Sequence, residues 1–379
     1  MKGYLTDKEL KYIHEHVDEA IGLLEQLGRI PAPSHHEEQR ADFVKQWLEA
    51  QGARGVYIDD ALNVIYPAGC TDDNDVVVIM AHMDIVFPDT EPLPLYVENG
   101  KMFAPGIGDD TANLALLLMC ARYITLQGLT PKCGIVFVAN SCEEGLGNLK
   151  GTKAVMEAYG SRVKQFISFD GYLNGISDDA VGSHRYEVTV RTEGGHSFGN
   201  FGNANAIYYL SNMIQTLYAK QAPQKAKTTY NVGTIVGGTT VNSIAQQVSM
   251  LYEFRSVDRE CLAEMQTFFN SVIDTYRNMG ISVEVEVKGI RPCRGEVDMA
   301  ALNRLTETNR AIVEYYTDAQ CKVEAGSTDS NIPLSMGIPA NTLGVIRGGQ
   351  AHTREEWVDL ESIEDGFCVA LAVIRRYFK

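Results

Sequence analysis

Histidine and carboxylate side chains of the kind that hold metals recur in this sequence just where apolar runs end. The run VVVIMA leads into His82 and, two residues on, Asp84. The loop APGIGDD carries Asp109 and Asp110 just before an apolar stretch. GIVFVANSC leads into Glu143 and Glu144, QFISF into Asp170, and the apolar segment before RGGQ into His352. Residues two apart on a strand face the same way. Asp84 can therefore accept the second ring N–H of His82 and fix which nitrogen is left for a ligand. Taken singly, each group has a plain explanation. His82 could be a structural strand-end histidine. Asp109 and Asp110 could cap a helix, and Glu143 and Glu144 could form a solvated turn. In an open parallel sheet, however, ligands bind beyond the carboxyl ends of the strands. Five separate segments deliver metal-type side chains to that one edge.

The set is too rich for a single zinc, which takes about three protein ligands plus water. Mixed nitrogen and oxygen donors suit zinc, with cobalt or manganese as alternatives. Two ions roughly 3.5–4 Å apart, sharing a carboxylate and a water, would use the whole set and would serve hydrolysis.

The elements that must position these groups follow from hydrophobic period. Residues 76–81, 134–139 and 165–169 are near-continuous apolar runs, the pattern of strands buried on both faces of a parallel sheet. Residues 111–124 and 151–158 read as helices between them, the first apolar all round. Residues 7–27 have helical spacing, and Ser34 followed by Glu37 signals a capping box starting a helix over 37–50. From about 183 the texture changes. Strands at 185–191, 232–236, 248–254 and 282–287, with helices at 204–219 and 258–279, give the order β-α-β-β-α-β of a ferredoxin-like, split βαβ domain. The α/β texture returns with a helix at 300–316, a strand at 341–346 and a helix at 362–377. The expected architecture is an α/β catalytic domain, with a mostly parallel sheet and helices on both faces, formed by 1–182 and 292–379. It is interrupted by an α+β insert at 183–291 that would act as lid or dimerisation domain. The joins near 182 and 292 are candidate hinges.

Composition narrows the partners. A chain of 379 residues suggests about two domains. Its 45% hydrophobic and 22% charged residues are ordinary for a globular protein. The net charge of −16 repels phosphate backbones and excludes nucleic acid as the expected partner. The start, MKGYLTDKELKYIHEHVDEA, has no apolar signal region. Runs such as VVVIMA and ALLLMC fall short of the ~18 residues a membrane span needs. The expectation is a cytoplasmic protein without membrane contact. Eight cysteines occur at 70, 120, 133, 142, 261, 293, 321 and 368 without a CxxC pair, and read as mostly buried thiols rather than a disulfide framework.

The segments RIPAPSHHEEQ, AHMDIV, GIGDD, SCEEGLG, SFDG, GGHS and GGQAHTREEWV, in that order over about 28–365, resemble the co-catalytic zinc exopeptidases. That family includes peptidase T, carboxypeptidase G and the succinyl-diaminopimelate desuccinylases. The resemblance implies that His82 and Asp170 hold one zinc, Glu144 and His352 the other, and that Asp109 bridges them. It implies Asp84 behind His82, Glu143 as general base for a water shared by the metals, and a cis peptide at Asp109–Asp110. It implies His196 of GGHS as an oxyanion donor, commonly supplied by a partner subunit. An acidic, partly apolar insert with His196 in a glycine loop points to a homodimer through the insert. Asn242 in TTVNSIA, Arg255 in EFRSVD, and Gly326 and Ser327 with Thr328 and Asp329 in GSTDSN resemble positions that contact substrate. The expected substrates are short peptides, cleaved by a peptidase T-like exopeptidase. N-acyl amino acid deacylation or carboxypeptidase activity is the alternative within the family. A non-catalytic metal-binding dimerisation module is the alternative of another class. One departure is Thr111-Ala112, where many relatives carry lysine-glycine. His14, His16 and His184 match no motif, His35 and His36 are expected on the surface, and no nearby histidine in sequence marks Cys142 as a nucleophile.

Overall fold

The computed structural model describes residues 3–173, 175–318 and 320–379. The chain forms two compact units, one running to Ala180 and resuming over Gly295–Lys379, the other Val181–Arg294. The first unit is built on an eight-stranded sheet. In spatial order its strands are Tyr57–Ile58, Val64–Ala68, Gly134–Asn140, Val76–His82, Val163–Phe169, Ala340–Leu343, Gly175–Ala180 and Lys322–Gly326. The four strands from Gly134–Asn140 to Ala340–Leu343 run parallel. Antiparallel neighbours, Val64–Ala68 and Gly175–Ala180, close them off on either side.

Alternation of side chains explains why the apolar runs are unbroken. Every residue of Val76–His82 is buried. Val77, Ile79 and Ala81 enter one core, and Val76, Val78 and Met80 enter the other. The next strand sorts the same way, with Ile135 and Phe137 on one side and Val136 and Val138 on the other. Both faces therefore need helical cover. Val17–Arg29, Ala112–Leu126 and Ser362–Arg375 cover the first face, and Lys150–Tyr159 and Asn331–Ser335 the second. Each fully buried Val or Ile stabilises by ~1.5–3 kcal/mol, so the carboxyl edge of the sheet is a rigid platform. Among the described residues, no helix is long and apolar enough to cross a membrane.

Several local expectations are corrected. The helix read over 7–27 is two, Asp7–Glu15 and Val17–Arg29. At His16 the backbone turns out of the helical region, and its ring binds the Tyr12 carbonyl at 2.7 Å and stacks on Tyr12. The first helix carries its own capping box, Thr6 with Glu9. Ser34 and Glu37 do not form one. The helix Glu38–Ala50 has no side-chain cap, because Ser34 donates to Asp84 and Glu37 accepts from the Cys142 N–H, both across to other segments. The strand read over 341–346 ends at Leu343, where the chain presses on Gly171 and Tyr172; a Cβ on Gly344 would lie 2.3 Å from their backbone atoms.

The second unit is a four-stranded antiparallel sheet ordered Thr228–Gly237, Gln247–Ser256, Gly182–Arg191, Ser282–Arg291. Val248, Met250, Tyr252 and Phe254 alternate into its core, packed by helices Ala206–Ala219 and Arg259–Asn278. Asn205 and Asp258 cap those helices by accepting backbone N–H groups.

At an ordinary helix interior, Ala is favoured over Gly by up to ~1 kcal/mol. At Gly366 in Ser362–Arg375 an added Cβ would sit 1.7 Å from the Val345 carbonyl oxygen. Gly366→Ala is expected to reverse the usual sign and destabilise by about 2 kcal/mol. Denaturant unfolding checks this, and an unchanged or raised midpoint would refute the packing.

Candidate metal centre

His82 ends its strand fully buried, and its backbone N–H is donated to Asp110 Oδ2 at 2.8 Å. Its Nδ1 lies 3.0 Å from the Asp84 carbonyl oxygen and 3.5 Å from Asp84 Oδ1. The main-chain oxygen is therefore the nearer acceptor for the ring N–H. The Asp84 carboxylate has other commitments. It accepts the Glu143 N–H on Oδ1 at 2.9 Å, and on Oδ2 the Glu144 N–H at 3.0 Å and the Ser34 hydroxyl at 2.6 Å. Asp84 thus fixes the loop that carries both glutamates as well as the His82 ring.

Asp109 lies in the wide turn Ile107–Thr111 and is joined to Asp110 by a cis peptide bond. Its Oδ1 is 3.1 Å from His82 Nε2, and its Oδ2 is 3.1 Å from His352 Nε2. His352 Nε2 is also 3.1 Å from Glu144 Oε1. Ligand atoms of His82, Asp109 and Asp170 all lie within 4.8 Å of one another, as do those of Asp109, Glu144 and His352. The result is two three-residue donor groups with Asp109 common to both. Zinc at its usual bond lengths holds neighbouring tetrahedral donors about 3.3 Å apart, a spacing these groups meet with small shifts.

The electrostatics favour a cation. Burial opposes protonation of His82, yet the carboxylates of Asp110, Asp109 and Asp84 hold it well above its ordinary value. Hydrogen bonds to Asp109 and Glu144 push His352 up to about 10. Burial and the Asp109 charge push Asp170 up to about 7, and burial raises Glu144 as well. Burial raises the two acids, and the surrounding carboxylates raise the two histidines. Divalent ions relieve the same field.

Supporting residues that the sequence reading passed over surround these groups. The Asp110 carboxylate accepts from Asn113 at 2.6 Å, and Asn113 also bonds the Gly171 carbonyl and the Val345 N–H. One Asp–Asn pair therefore links the His82 strand, the Asp109 turn and the chain beyond two further strands. The only sequence signal was the three-residue spacing at a helix start. Arg40, fully buried, donates to the carbonyls of Met83, Leu27 and Ile30 and to Thr111. Glu356 accepts backbone N–H groups from the Asp109 turn.

The remaining candidates have these places. Gly326 ends a strand beside Gly175–Ala180, where a Cβ would meet Ser177 Oγ at 2.5 Å, so close strand approach already accounts for glycine. Ser327 is half-buried beside it. Asp329 is fully buried and accepts from Asn140 at 2.7 Å and from Thr152. In the second unit His196 is exposed, and its Nδ1 accepts the N–H groups of Phe198 and Gly199 at 3.2 Å. That leaves Nε2–H as a free donor. His196 pairs with Ser243, and the Ser197 N–H binds the Asn242 carbonyl at 2.9 Å, so His196 and Asn242 form one local surface. Arg255 is held by Glu253 at 3.0 and 2.9 Å, eight residues along the strand from Gln247, roughly 27 Å.

Residues 78–376 match peptidase family M20/M25/M40. A succinyl-diaminopimelate desuccinylase of Corynebacterium glutamicum is 25% identical over 382 residues, covering 98% of this chain and 99% of its own. The crystal structure of a tripeptidase from Staphylococcus aureus superposes with a TM-score of 0.77 at 22% identity, covering 95% of this chain and 98% of that one. A Bacillus subtilis structure described as a dinuclear metal binding peptidase superposes at 0.64 with 16% identity, covering 96% and 99%. At these identities the structural likeness establishes the fold.

Cys142, between the strand and the two glutamates, is buried with a left-handed backbone. A histidine distant in sequence does reach it, since His35 Nδ1 is 3.3 Å from its sulfur, and Glu37 Oε1 is also at 3.3 Å. His35 and His36 are themselves exposed. Burial and the charges of Glu37 and Asp84 nevertheless push the thiol up to about 12. It stays protonated, and a thiolate is what a nucleophile requires. In the native protein at pH 8, iodoacetamide is expected to leave Cys142 unmodified, and Cys142→Ser is expected to retain most of the activity. Rapid labelling of Cys142 by peptide mass mapping, with matching loss of turnover, would contradict this.

Proposed function

The chain is a metal-dependent hydrolase belonging to peptidase family M20/M25/M40, and we propose that it is a two-metal exopeptidase of the peptidase T type, cleaving short peptides. The observation that carries this reading is Asp109, whose two oxygens face His82 and His352 at 3.1 Å each. His82 and Asp170 would hold one ion, Glu144 and His352 the other, and Asp109 both. A histidine in each group favours zinc, and cobalt or manganese would fit the same donors. Bound there, the two ions would polarise the scissile carbonyl and make water easier to ionise. Glu143, whose backbone is held by Asp84, takes the proton from water as oxygen adds to the carbonyl carbon. It then delivers that proton to the leaving nitrogen as the C–N bond breaks, giving a carboxylate and an amine. The Nε2–H of His196 would stabilise the developing oxyanion. Asn242, Arg255, Gly326 and Ser327 are the proposed substrate contacts.

His196 is proposed to act on the site of a second copy, in a homodimer joined through the insert. The strand Thr228–Gly237 supports this, since it is a sheet edge with Ile235 and Val236 59% and 68% exposed. Such an edge invites pairing with another chain. Eight unpaired cysteines support a reducing compartment, the cytoplasm. A second reading, N-acyl amino acid deacylation, is favoured by the likeness to a desuccinylase over nearly the whole chain. A non-catalytic role is disfavoured, because Asp84 and Glu143 are both kept.

Glu143→Gln is expected to lower kcat by about 10³-fold, with metal analysis still near two ions per chain. Full activity in that variant would refute the mechanism. Wild-type rates on tripeptides, dipeptides, and N-succinyl and N-acetyl amino acids separate the two readings, with tripeptides expected to be fastest. For the dimer, His196→Ala and Glu143→Gln chains, each inactive alone, are mixed and allowed to exchange. A histidine acting across the dimer restores about a quarter of wild-type activity, since half the dimers are mixed and each has one intact site. No restoration, or a monomer in sedimentation, would overturn the arrangement.

A further inference from the structure

The turn that carries Asp109 is shaped from outside by one side chain. Glu356 is 1% exposed. Its Oε1 accepts the N–H groups of Gly108 at 2.8 Å and Asp109 at 2.6 Å, and its Oε2 accepts that of Gly106 at 3.0 Å. Gly106 has a left-handed backbone (φ 69°), and a Cβ on Gly108 would come within 3.1 Å of Glu356 Oε1. Glycine at both positions lets the turn wrap the carboxylate. Backbone ties hold Glu356 in its turn, with the Ala104 N–H donated to its carbonyl at 3.2 Å. The strand that follows, Trp357–Asp359, pairs with Lys101–Phe103. Glu356 lies four residues beyond His352 in the same loop. One buried carboxylate therefore connects the segment bearing His352 to the backbone of the donor that both metal groups share.

We infer that Glu356 is a positioning residue for the metal centre, setting the orientation of Asp109 toward both ions while touching neither ion nor substrate. The inference rests on the two-metal reading above. Only a carboxylate offers acceptors on both oxygens, so an amide of the same shape turns one of them into a donor facing an N–H. The turn then rotates, and the two Asp109 oxygens lose their aim together. Loss of such a supporting group typically weakens metal binding 10–100-fold.

The test compares wild type, Glu356→Gln and Leu371→Ala. Leu371→Ala opens a cavity in the core of the same unit and serves as a control for general destabilisation. Zinc affinity is measured on metal-free protein by competition with a chromophoric chelator, and unfolding midpoints are taken on the same samples. Glu356→Gln is expected to weaken zinc about 10–100-fold at both sites and to lower kcat with KM within about twofold of wild type. Leu371→Ala is expected to lose stability and keep its zinc affinity. Wild-type affinity and kcat in Glu356→Gln would overturn the inference, as would an equal loss of zinc affinity in Leu371→Ala. If the Gln variant does not fold, Glu356→Asp, which keeps the charge but shortens the reach, is read against the same outcomes. Wild-type protein that takes up no zinc, cobalt or manganese would instead remove the two-metal reading.

Discussion

Everything in the first unit turns on keeping several carboxylates and two histidines in a few ångströms of one another around Asp109. Such a cluster repels itself. Asp170 and Glu144 are raised above their ordinary values, while both histidines are driven toward their charged forms. A flexible chain would splay these groups apart. The sheet prevents this, because the strands beneath are buried on both faces and cannot yield without opening two cores at once. Folding energy spent on the strands thereby holds the donors in a field that only cations relieve.

The sheet alone does not aim the donors, since all but His82 sit in turns and loops outside its strands. The aiming falls to acids that are not donors. Asp84 holds the Glu143–Glu144 backbone, Asp110 holds His82 through its N–H, and Glu356 holds the Asp109 turn. These bonds run between segments, from strand to loop and from loop to loop. Removing one would disturb two segments, so their effects should not add as independent sites do. The concentration of acids also reconciles a buried Arg40 that has no direct carboxylate partner among its hydrogen bonds. Burial pulls its guanidinium down to about 10, and the charges of Asp84 and Glu37 offset part of that cost while it binds carbonyl oxygens.

The parallel strands and the helices between them were readable because full burial leaves an unbroken apolar run, as at 76–82. Most of the donors were readable because each follows such a run, and Asp109 because it stands just before one, Ala112–Leu126. Short polar strands such as Gly175–Ala180 and Lys322–Gly326 left no period to detect. The break at His16 was hidden because its cause is a ring bonding a carbonyl rather than a Gly or Pro. Ser34 and Glu37 matched a capping box in spacing, yet both bond to other strand ends at sequence distances of 50 and 105. A local pattern cannot show that a long-range acceptor competes for the same hydroxyl. Glu356 was hidden for the same reason. Within TREEW it looks like a solvated acid, and only the folded chain brings three N–H groups to it.

Selectivity must come from groups other than the metal donors. Polarising a carbonyl and handling a proton are demands common to all amides, so the centre around Asp109 has little with which to tell a peptide from an N-acyl amino acid. A relative bearing a desuccinylase name spans nearly the whole chain at 25% identity, and a tripeptidase shares the fold. Groups that discriminate must therefore lie where acyl and amine portions extend away from the reacting bond. In the second unit the His196 loop carries Phe198 and Phe201, 89% and 91% exposed, and the neighbouring Val241 is fully exposed. Apolar side chains held open to water at that level cost solvation free energy, and they flank His196, whose Nδ1 accepts two backbone N–H groups.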